Sequence, residues 1–240
     1  MGRREDWYLK KRGEAIFAGY EKDLLFSDGE GVFEGYLQQV PNAYDVVIKR
    51  YYEVDETKRV LNTRVIIQSL AGYKNINNSR KILARKSFGL RTGDLVEAQD
   101  KIWLVTDWVN RQRTTDDYSS LTLCNHTISF EKEEKIKTNE VDDFGRPKYT
   151  IQETSYDIAC YYTTNVIDSY ENGSINLPDN RARAYIQYTN LLKVGDEVVV
   201  AGSHYRIYGI DNSYMETNDK SVGYEYGVMI LTLEMPVKTT

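Results

Sequence analysis

Two Gly-Asp pairs are the first residues in this 240-residue chain whose types and spacing could do chemistry. Gly93-Asp94 lies in "GLRTGDLVEAQDKIWLVTDW" (89–108), and Gly195-Asp196 lies in "LLKVGDEVVVAGSHYRIYGID" (191–211). Glycine beside a carboxylate can form part of a phosphate or metal site. It can also form a turn, because glycine allows a positive φ and Asp accepts hydrogen bonds from backbone amides nearby. Apolar residues follow both pairs as in a β-hairpin, so we interpret both pairs as structural turns.

The remaining polar residues do not form a recognisable catalytic or metal-binding motif. His126 and His204 lie far apart, and neither has a Cys or His at the spacing of a metal site. We expect His204 on a strand face or in a core. The adjacent acids Asp116-Asp117 and Asp142-Asp143 are typical of solvated loops. No phosphate-binding loop, nucleophile elbow or dinucleotide fingerprint is present. The sequence therefore predicts neither an enzyme nor a cofactor.

Two charged stretches are candidates for binding instead. The first, "SRKILARKSFGLR" (79–91), holds five cations and no acid: Arg80, Lys81, Arg85, Lys86 and Arg91. It is a candidate subunit-interface or DNA-facing surface, although a solvated face covering apolar neighbours remains an alternative. The acidic residues Glu53, Asp55 and Glu56 could form the complementary surface in a ring of identical subunits.

Composition narrows the class of protein. The chain has 20 Tyr, 6 Phe and 4 Pro, and this abundance of tyrosine favours strands. Its net charge of −5 gives no overall attraction to nucleic acid or to an anionic membrane. Two cysteines are too few for a disulfide framework and suit a reducing cytosol. We expect no secretory signal in the charged opening segment and no membrane-spanning helix.

The two halves of the chain resemble each other. At an offset of 102 residues the two Gly-Asp pairs align, together with Leu90/Leu192, Val96/Val198, Trp103/Tyr205 and Val105/Ile207. Leu-Thr-Leu follows both segments, in "SSLTLCN" (119–125) and "MILTLEM" (229–235). Upstream, "YDVVI" (44–48) resembles "YDIAC" (156–160), and "TRVIIQS" (63–69) resembles "RAYIQY" (183–188). This order of marks indicates a divergent duplication.

The predicted fold is all-β, with two tandem β-barrel-like or β-sandwich domains, long loops and a short N-terminal arm or helix. The first domain covers residues 1–130 and includes a long insertion at 69–92. A charged segment, 131–149, is a linker or a protruding hairpin, because it alternates charges and contains few apolar residues. The second domain covers residues 150–240.

The string "TRVIIQS…RKILARKSFGLRTGDLVEAQDKIWLVTDW" resembles the head-closure (stopper) and neck proteins of tailed bacteriophages. The resemblance covers about residues 44–125, and usual stopper proteins are about half the length of this chain. It implies small β-barrels with long loops that assemble as a ring below the portal, close the DNA-filled head and dock the tail. No catalytic residue carries over from that family.

The expected function is that of a virion structural protein at the head–tail interface, assembled in the bacterial host cytoplasm. Expected partners are identical subunits in a ring, the portal or adaptor, the tail terminator or other neck proteins, and packaged DNA held weakly and without sequence preference. No membrane contact is expected. The alternatives are a tail or baseplate β-module that binds host-surface carbohydrate and a nucleic-acid-binding β-barrel protein.

Overall fold

The computed structural model describes residues 35, 37–53, 55–69, 78–111, 116–141, 144–164, 181–216 and 225–236. The predicted N-terminal arm lies outside these residues. In the described part of the chain, twelve strands follow in order: β1 (Ala43–Lys49), β2 (Val60–Ser69), β3 (Ser79–Arg85), β4 (Leu95–Ala98), β5 (Lys101–Val105), β6 (Asp116–Leu123), β7 (His126–Val141), β8 (Pro147–Thr163), β9 (Arg181–Gln187), β10 (Glu197–Val200), β11 (Ser203–Glu216) and β12 (Tyr226–Glu234). Short 3₁₀ turns occupy Glu56–Lys58 and Lys86–Phe88.

The strands form two closed barrels with the same topology. In the first barrel the strand order is β1-β2-β3-β6-β5-β4, and in the second it is β7-β8-β9-β12-β11-β10. Adding six to each strand number converts one order into the other. The all-β prediction with tandem domains is confirmed, and both domains are barrels rather than sandwiches.

Alternation along the strands builds a separate core inside each barrel, because successive side chains point to opposite faces of a sheet. Inward-facing residues of the first barrel include Val46, Ile48, Val65, Ile82, Ala84, Val96, Trp103, Val105 and Leu121. Those of the second include Ile128, Phe130, Ile158, Cys160, Ala184, Ile186, Val198, Val200, Tyr205, Ile207 and Leu231. On the first barrel, a smaller cluster packs Leu37 against Ile66 and Leu83.

Both predicted hairpins after the Gly-Asp pairs are present, each closed by a two-residue loop. Gln99 and Asp100 join β4 to β5 with φ of 53° and 57°, and Ala201 and Gly202 join β10 to β11 with φ of 51° and 75°. Two successive residues of positive φ are the geometry of a type I′ loop, whose twist matches that of the flanking strands.

Two of the four sequence marks of duplication lie on equivalent strands, and two do not. The Gly-Asp hairpins correspond as β4–β5 and β10–β11, and the Leu-Thr-Leu segments as β6 and β12. However, "YDVVI" lies in β1 whereas "YDIAC" lies in β8, and "TRVIIQS" lies in β2 whereas "RAYIQY" lies in β9. These two upstream matches are wrong by one strand, because alternation of apolar and polar residues fits any half-buried strand equally well.

Strand register gives the correct equivalence. Val47 of β1 lies opposite Glu97, and Ser129 of β7 lies opposite Val199. Because 97 and 199 differ by the same 102 residues as the Gly-Asp pairs, Val47 corresponds to Ser129. The segment "DVVIKR" (45–50) therefore matches "TISFEK" (127–132).

The described residues divide into two compact units. The first falls within Met1–Leu123 and Glu216–Gly227, and the second within Cys124–Met215 and Val228–Thr240. The first boundary thus follows β6, earlier than the predicted residue 130, because Ile128 and Phe130 belong to the second core.

The two segments predicted between or within the domains both contain strand residues. Segment 131–149 lies in the β7–β8 hairpin. Segment 69–92 contains β3, whose topological counterpart is β9, so the count that defined an insertion compared strands that are not equivalent. Residues 70–77 of that segment lie outside the described residues.

Candidate functional site

The Gly93-Asp94 turn is held by a closed set of hydrogen bonds in the first barrel. Gly93 has φ of 88°, and its amide donates to the Val105 carbonyl at 2.8 Å. In return the Val105 amide donates to the Asp94 carbonyl at 2.9 Å. The Asp94 amide donates to the Arg91 carbonyl at 3.1 Å. The turn therefore fixes the start of β4 against the end of β5.

The Asp94 carboxylate is fully buried and already has four donors. Arg50 binds both oxygens, Nε to Oδ1 and Nη2 to Oδ2, each at 2.8 Å. The Tyr52 hydroxyl donates to Oδ1 at 2.9 Å, and the Arg91 amide to Oδ2 at 3.0 Å. Burial, and then the charge of Asp94, raises the pKa of Tyr52, so the phenol stays protonated as a donor. The hydrogen-bonding capacity of the carboxylate is thus used within the barrel.

The Gly195-Asp196 turn repeats this arrangement in the second barrel. Gly195 has φ of 96°, and its amide donates to the Ile207 carbonyl at 2.8 Å. The Lys193 amide donates to Asp196 Oδ2 at 2.7 Å, as Arg91 does to Asp94. Lys132 Nζ binds the same oxygen at 2.6 Å. Lys132 is the residue that corresponds to Arg50, so each barrel joins its first strand to its fourth through a cation and the Gly-Asp carboxylate.

Sequence reasoning missed Arg50 and Lys132. The available signal was a cation two residues after an inward-facing apolar residue, Ile48 in one barrel and Phe130 in the other. It becomes visible only once β1 is matched with β7. We call these two pairs, Arg50–Asp94 and Lys132–Asp196, the barrel clamps.

The five candidate cations of segment 79–91 do not lie on one face. The Arg80 guanidinium stacks over the Trp103 ring at 5.6 Å, and Lys81 Nζ lies 4.2 Å from the centre of the Tyr118 ring. These two residues are adjacent on β3, so they point to opposite faces of the strand. Arg85, on the Lys81 side of β3, is half-buried and lies opposite Asp116 in register.

Lys86 and Arg91 lie beyond β3. Lys86 is exposed, and its Nζ donates to the Arg111 carbonyl at 3.3 Å. Arg91 Nη1 binds Glu53 Oε2 at 3.1 Å within the same chain. Arg91 and Glu53 were candidates for complementary surfaces on neighbouring subunits. In this structure they form an ion pair with each other within one chain.

The other two acidic candidates belong to a 3₁₀ turn. Asp55 caps it by accepting from the Thr57 amide at 3.0 Å and pairs with Lys58 at 3.2 Å. The hydrogen bonds from Thr57, with those from Lys58, lower the pKa of Asp55. Glu56 is exposed and lies 3.6 Å from Arg59. Local cations thus offset much of this acidic surface.

The histidines and cysteines are placed as structural residues. His126 begins β7 and meets the Tyr162 ring edge-on at 5.3 Å. His204 lies exposed on β11, as expected for a strand-face residue, beside a shallow groove of about 380 Å³ on the second barrel. Burial raises the pKa of both Cys124 and Cys160 to about 12, so neither thiol is an activated nucleophile. Within the described residues, no group of three or more potential metal ligands is assembled.

Asp116 and Asp117 differ from their prediction as solvated loop residues. They begin β6 and are 2% and 1% exposed. Asp142-Asp143 lies outside the described residues. Adjacent carboxylates therefore mark a buried strand end in the first barrel.

The β7–β8 hairpin extends well past the second barrel. Its two strands pair from His126↔Cys160 to Lys137↔Tyr149, with a last pair at Val141↔Pro147. The barrel itself uses only the bases of these strands: β10 pairs at Ile128 and Ser129, and β9 pairs at Cys160–Thr163. We call residues 133–152 the β7–β8 arm.

One comparison with known proteins finds a match, and it covers the second barrel. Residues 126–234 match the family model of the YomX C-terminal domain. The matched segment runs from the first residue of β7 to the last residue of β12. No curated protein and no solved structure matches the chain. Among the described residues, none of the helices has the length and apolar character needed to span a membrane. The matched family is phage-derived, of the Bacillus prophage YomX type, so the second barrel is similar to a domain of phage-derived proteins.

Proposed function

We propose that the protein is a structural subunit of a tailed phage or phage-like particle, positioned at the head–tail interface. The observation that carries the proposal is a duplicated closed barrel whose second copy matches a phage-derived family from end to end. The resemblance of residues 44–125 to stopper and neck proteins supports the finer placement. In this role the protein forms a homo-oligomeric ring, contacts the portal or adaptor on one side and tail or neck proteins on the other, and is part of the virion.

The polar residues of the barrels support a structural role rather than a catalytic one. Both Gly-Asp carboxylates are used by the barrel clamps. The two thiols are held protonated by burial. A subunit that works by shape needs rigid walls, and closed barrels provide them because closure leaves no open sheet edge in the barrel wall.

The charge of the chain supports a passage for DNA rather than a tight DNA-binding site. A net charge of −5 repels phosphate. In the proposed ring, a central passage lined by such subunits would let the genome slide past. The cations of segment 79–91 are divided between two faces of β3 and an ion pair with Glu53. The nucleic-acid-binding alternative requires them to act together on one backbone.

The test is electron microscopy of particles assembled without this protein. We expect heads that have lost their DNA or lack tails, and we expect the plasmid-borne gene to restore tailed, filled particles. Filled heads already joined to tails in the deletion strain would contradict the proposal. A matched control is deletion of a tail-fibre gene, which leaves heads filled and tails attached.

A further inference from the structure

The β7–β8 arm has the character of an uncovered interaction surface. Four large apolar side chains of the arm are exposed: Ile136 (45%), Phe144 (84%), Tyr149 (59%) and Ile151 (58%). The arm contains six residues of β8, Pro147–Gln152, and at about 3.3 Å per residue they extend about 20 Å. A two-stranded ribbon without a third strand or a packed face is only marginally stable in water. The arm is therefore a feature that a partner would stabilise.

The edge of β8 contains a short uncharged stretch between Lys148 and Glu153. From Tyr149 to Gln152 the sequence of β8 reads "YTIQ", and every residue of it is exposed. In the described part of the chain, β8 pairs with β9 only at Cys160–Thr163, so the outer edge of this stretch has no strand beside it. Exposed edges usually carry charges that prevent pairing with another chain. The edge of β7 fits that rule, since "EKEEKIK" (131–137) is rich in both signs. The edge of β8 follows it at Pro147, Lys148 and Glu153, but not over the four residues between Lys148 and Glu153.

The uncharged stretch of the β8 edge is complementary to itself. When a two-fold axis relates two antiparallel copies of one strand, the numbers of any two opposite residues add up to the same sum. This sum must be even for opposite side chains to share a face. If Thr150 lies on the axis, Tyr149 lies opposite Ile151 of the second copy, and Ile151 opposite its Tyr149. Lys148 then meets Gln152, so no like charges face each other. Pairs of an aromatic and a β-branched residue are among the stabilising cross-strand pairs.

We propose that the β7–β8 arm binds the same arm of a second copy of this chain, edge to edge along β8, with Thr150 at the two-fold axis. The contact joins two hairpins into a four-stranded sheet and gathers two Tyr149 and two Ile151 side chains on one face. A two-fold contact closes on itself, so a ring would use other surfaces. The contact stands whether or not the protein works at the head–tail interface.

Disulfide trapping in the full-length chain tests the register. Thr150→Cys places two thiols directly opposite each other across the axis, at the Cα separation that a disulfide requires. We expect a covalent dimer on mild oxidation, seen by non-reducing electrophoresis. Gln152→Cys is the matched control, since this exposed residue lies on the same face but about four residues along the strand from its own copy. It forms no covalent dimer alone, and it forms a covalent heterodimer when mixed with Lys148→Cys.

Light scattering on a concentration series tests the contact without cross-linking. We expect a dimer whose dissociation constant rises at least about tenfold in Ile151→Lys, because a cation would then replace the β-branched partner of Tyr149 in both copies of the pair. Circular dichroism establishes that the variant is folded. The proposal is overturned if the wild-type chain stays monomeric at all concentrations, or if Thr150→Cys and Gln152→Cys cross-link equally. Neither result bears on the particle phenotype that tests the proposed function.

Discussion

The two barrel clamps share their backbone hydrogen bonds but differ in burial. Arg50 and Asp94 have side chains 5% and 0% exposed, whereas Lys132 and Asp196 are each 25% exposed. Arg50 makes a two-pronged contact and Lys132 a single one. A buried pair is costly to break because it leaves a charge without compensation, while a solvated pair contributes little. Breaking the clamp is therefore expected to lower the free energy of unfolding much more in the first barrel than in the second.

The largest expected effect is that of Arg50→Met. It leaves the buried Asp94 carboxylate without its cation, and we expect the free energy of unfolding of the first barrel to fall by about 3–5 kcal/mol. Urea denaturation followed by tryptophan fluorescence measures it, because Trp103 and Trp108 lie in the first barrel and residues 126–234 contain no Trp. Adding Asp94→Asn should recover part of the loss. A loss below about 1 kcal/mol would contradict the prediction that Asp94 depends on Arg50 to compensate its buried charge.

Gly195→Ala probes the backbone shared by the two turns. At φ of 96° an L-residue is strained, and we expect a loss of about 1–2 kcal/mol in the second barrel. Steric clash adds nothing, since the nearest atom to the new Cβ is Arg206 Nη2 at 3.7 Å. Hydrogen exchange of the Ile207 amide, which donates to the Asp196 carbonyl, is the measurement. Gly202→Asn is the control, because Asn tolerates the left-handed φ of 75° and nothing lies within 4 Å.

Tyr52→Phe tests the donor that only the first clamp has. Loss of its hydrogen bond to Asp94 should cost about 1 kcal/mol at neutral pH. The folded-state pKa of Tyr52 is raised, so its contribution is complete below the unfolded value of about 10 and decreases as pH rises above it. Urea midpoints between pH 8 and 11 should therefore fall more steeply in the wild-type chain than in Tyr52→Phe. Parallel curves would show that the titration of Tyr52 does not contribute to the pH dependence of the urea midpoint.

Lys132→Met should have the smallest effect. A quarter-exposed pair contributes up to about 1 kcal/mol, and salt screens it. We expect hydrogen exchange in the second barrel to change slightly at low salt and not at all in 1 M NaCl. A loss as large as that of Arg50→Met would mean that the two clamps are equivalent after all.

Local turn chemistry explains why the hairpins could be predicted from sequence. Gly93 and Gly195 mark positions of positive φ, and such positions align only in one register. The first strands could not be matched in this way, because "YDVVI" resembles any strand with one buried face. Arg50 and Lys132 remained hidden for the same reason. Asp116 and Asp117 were misplaced because their burial depends on the closure of β6 against β3, which no local pattern encodes.

Synthesis order gives the shared topology a further consequence. Two barrels with the same strand order in one chain offer each strand a competing partner, since β7 could take the place of β1 beside β4. The last of the six strands of the first barrel ends at Leu123, and β7 begins at His126. All strands of the first barrel therefore leave the ribosome before β7 does, so β1 has the first opportunity to pair with β4.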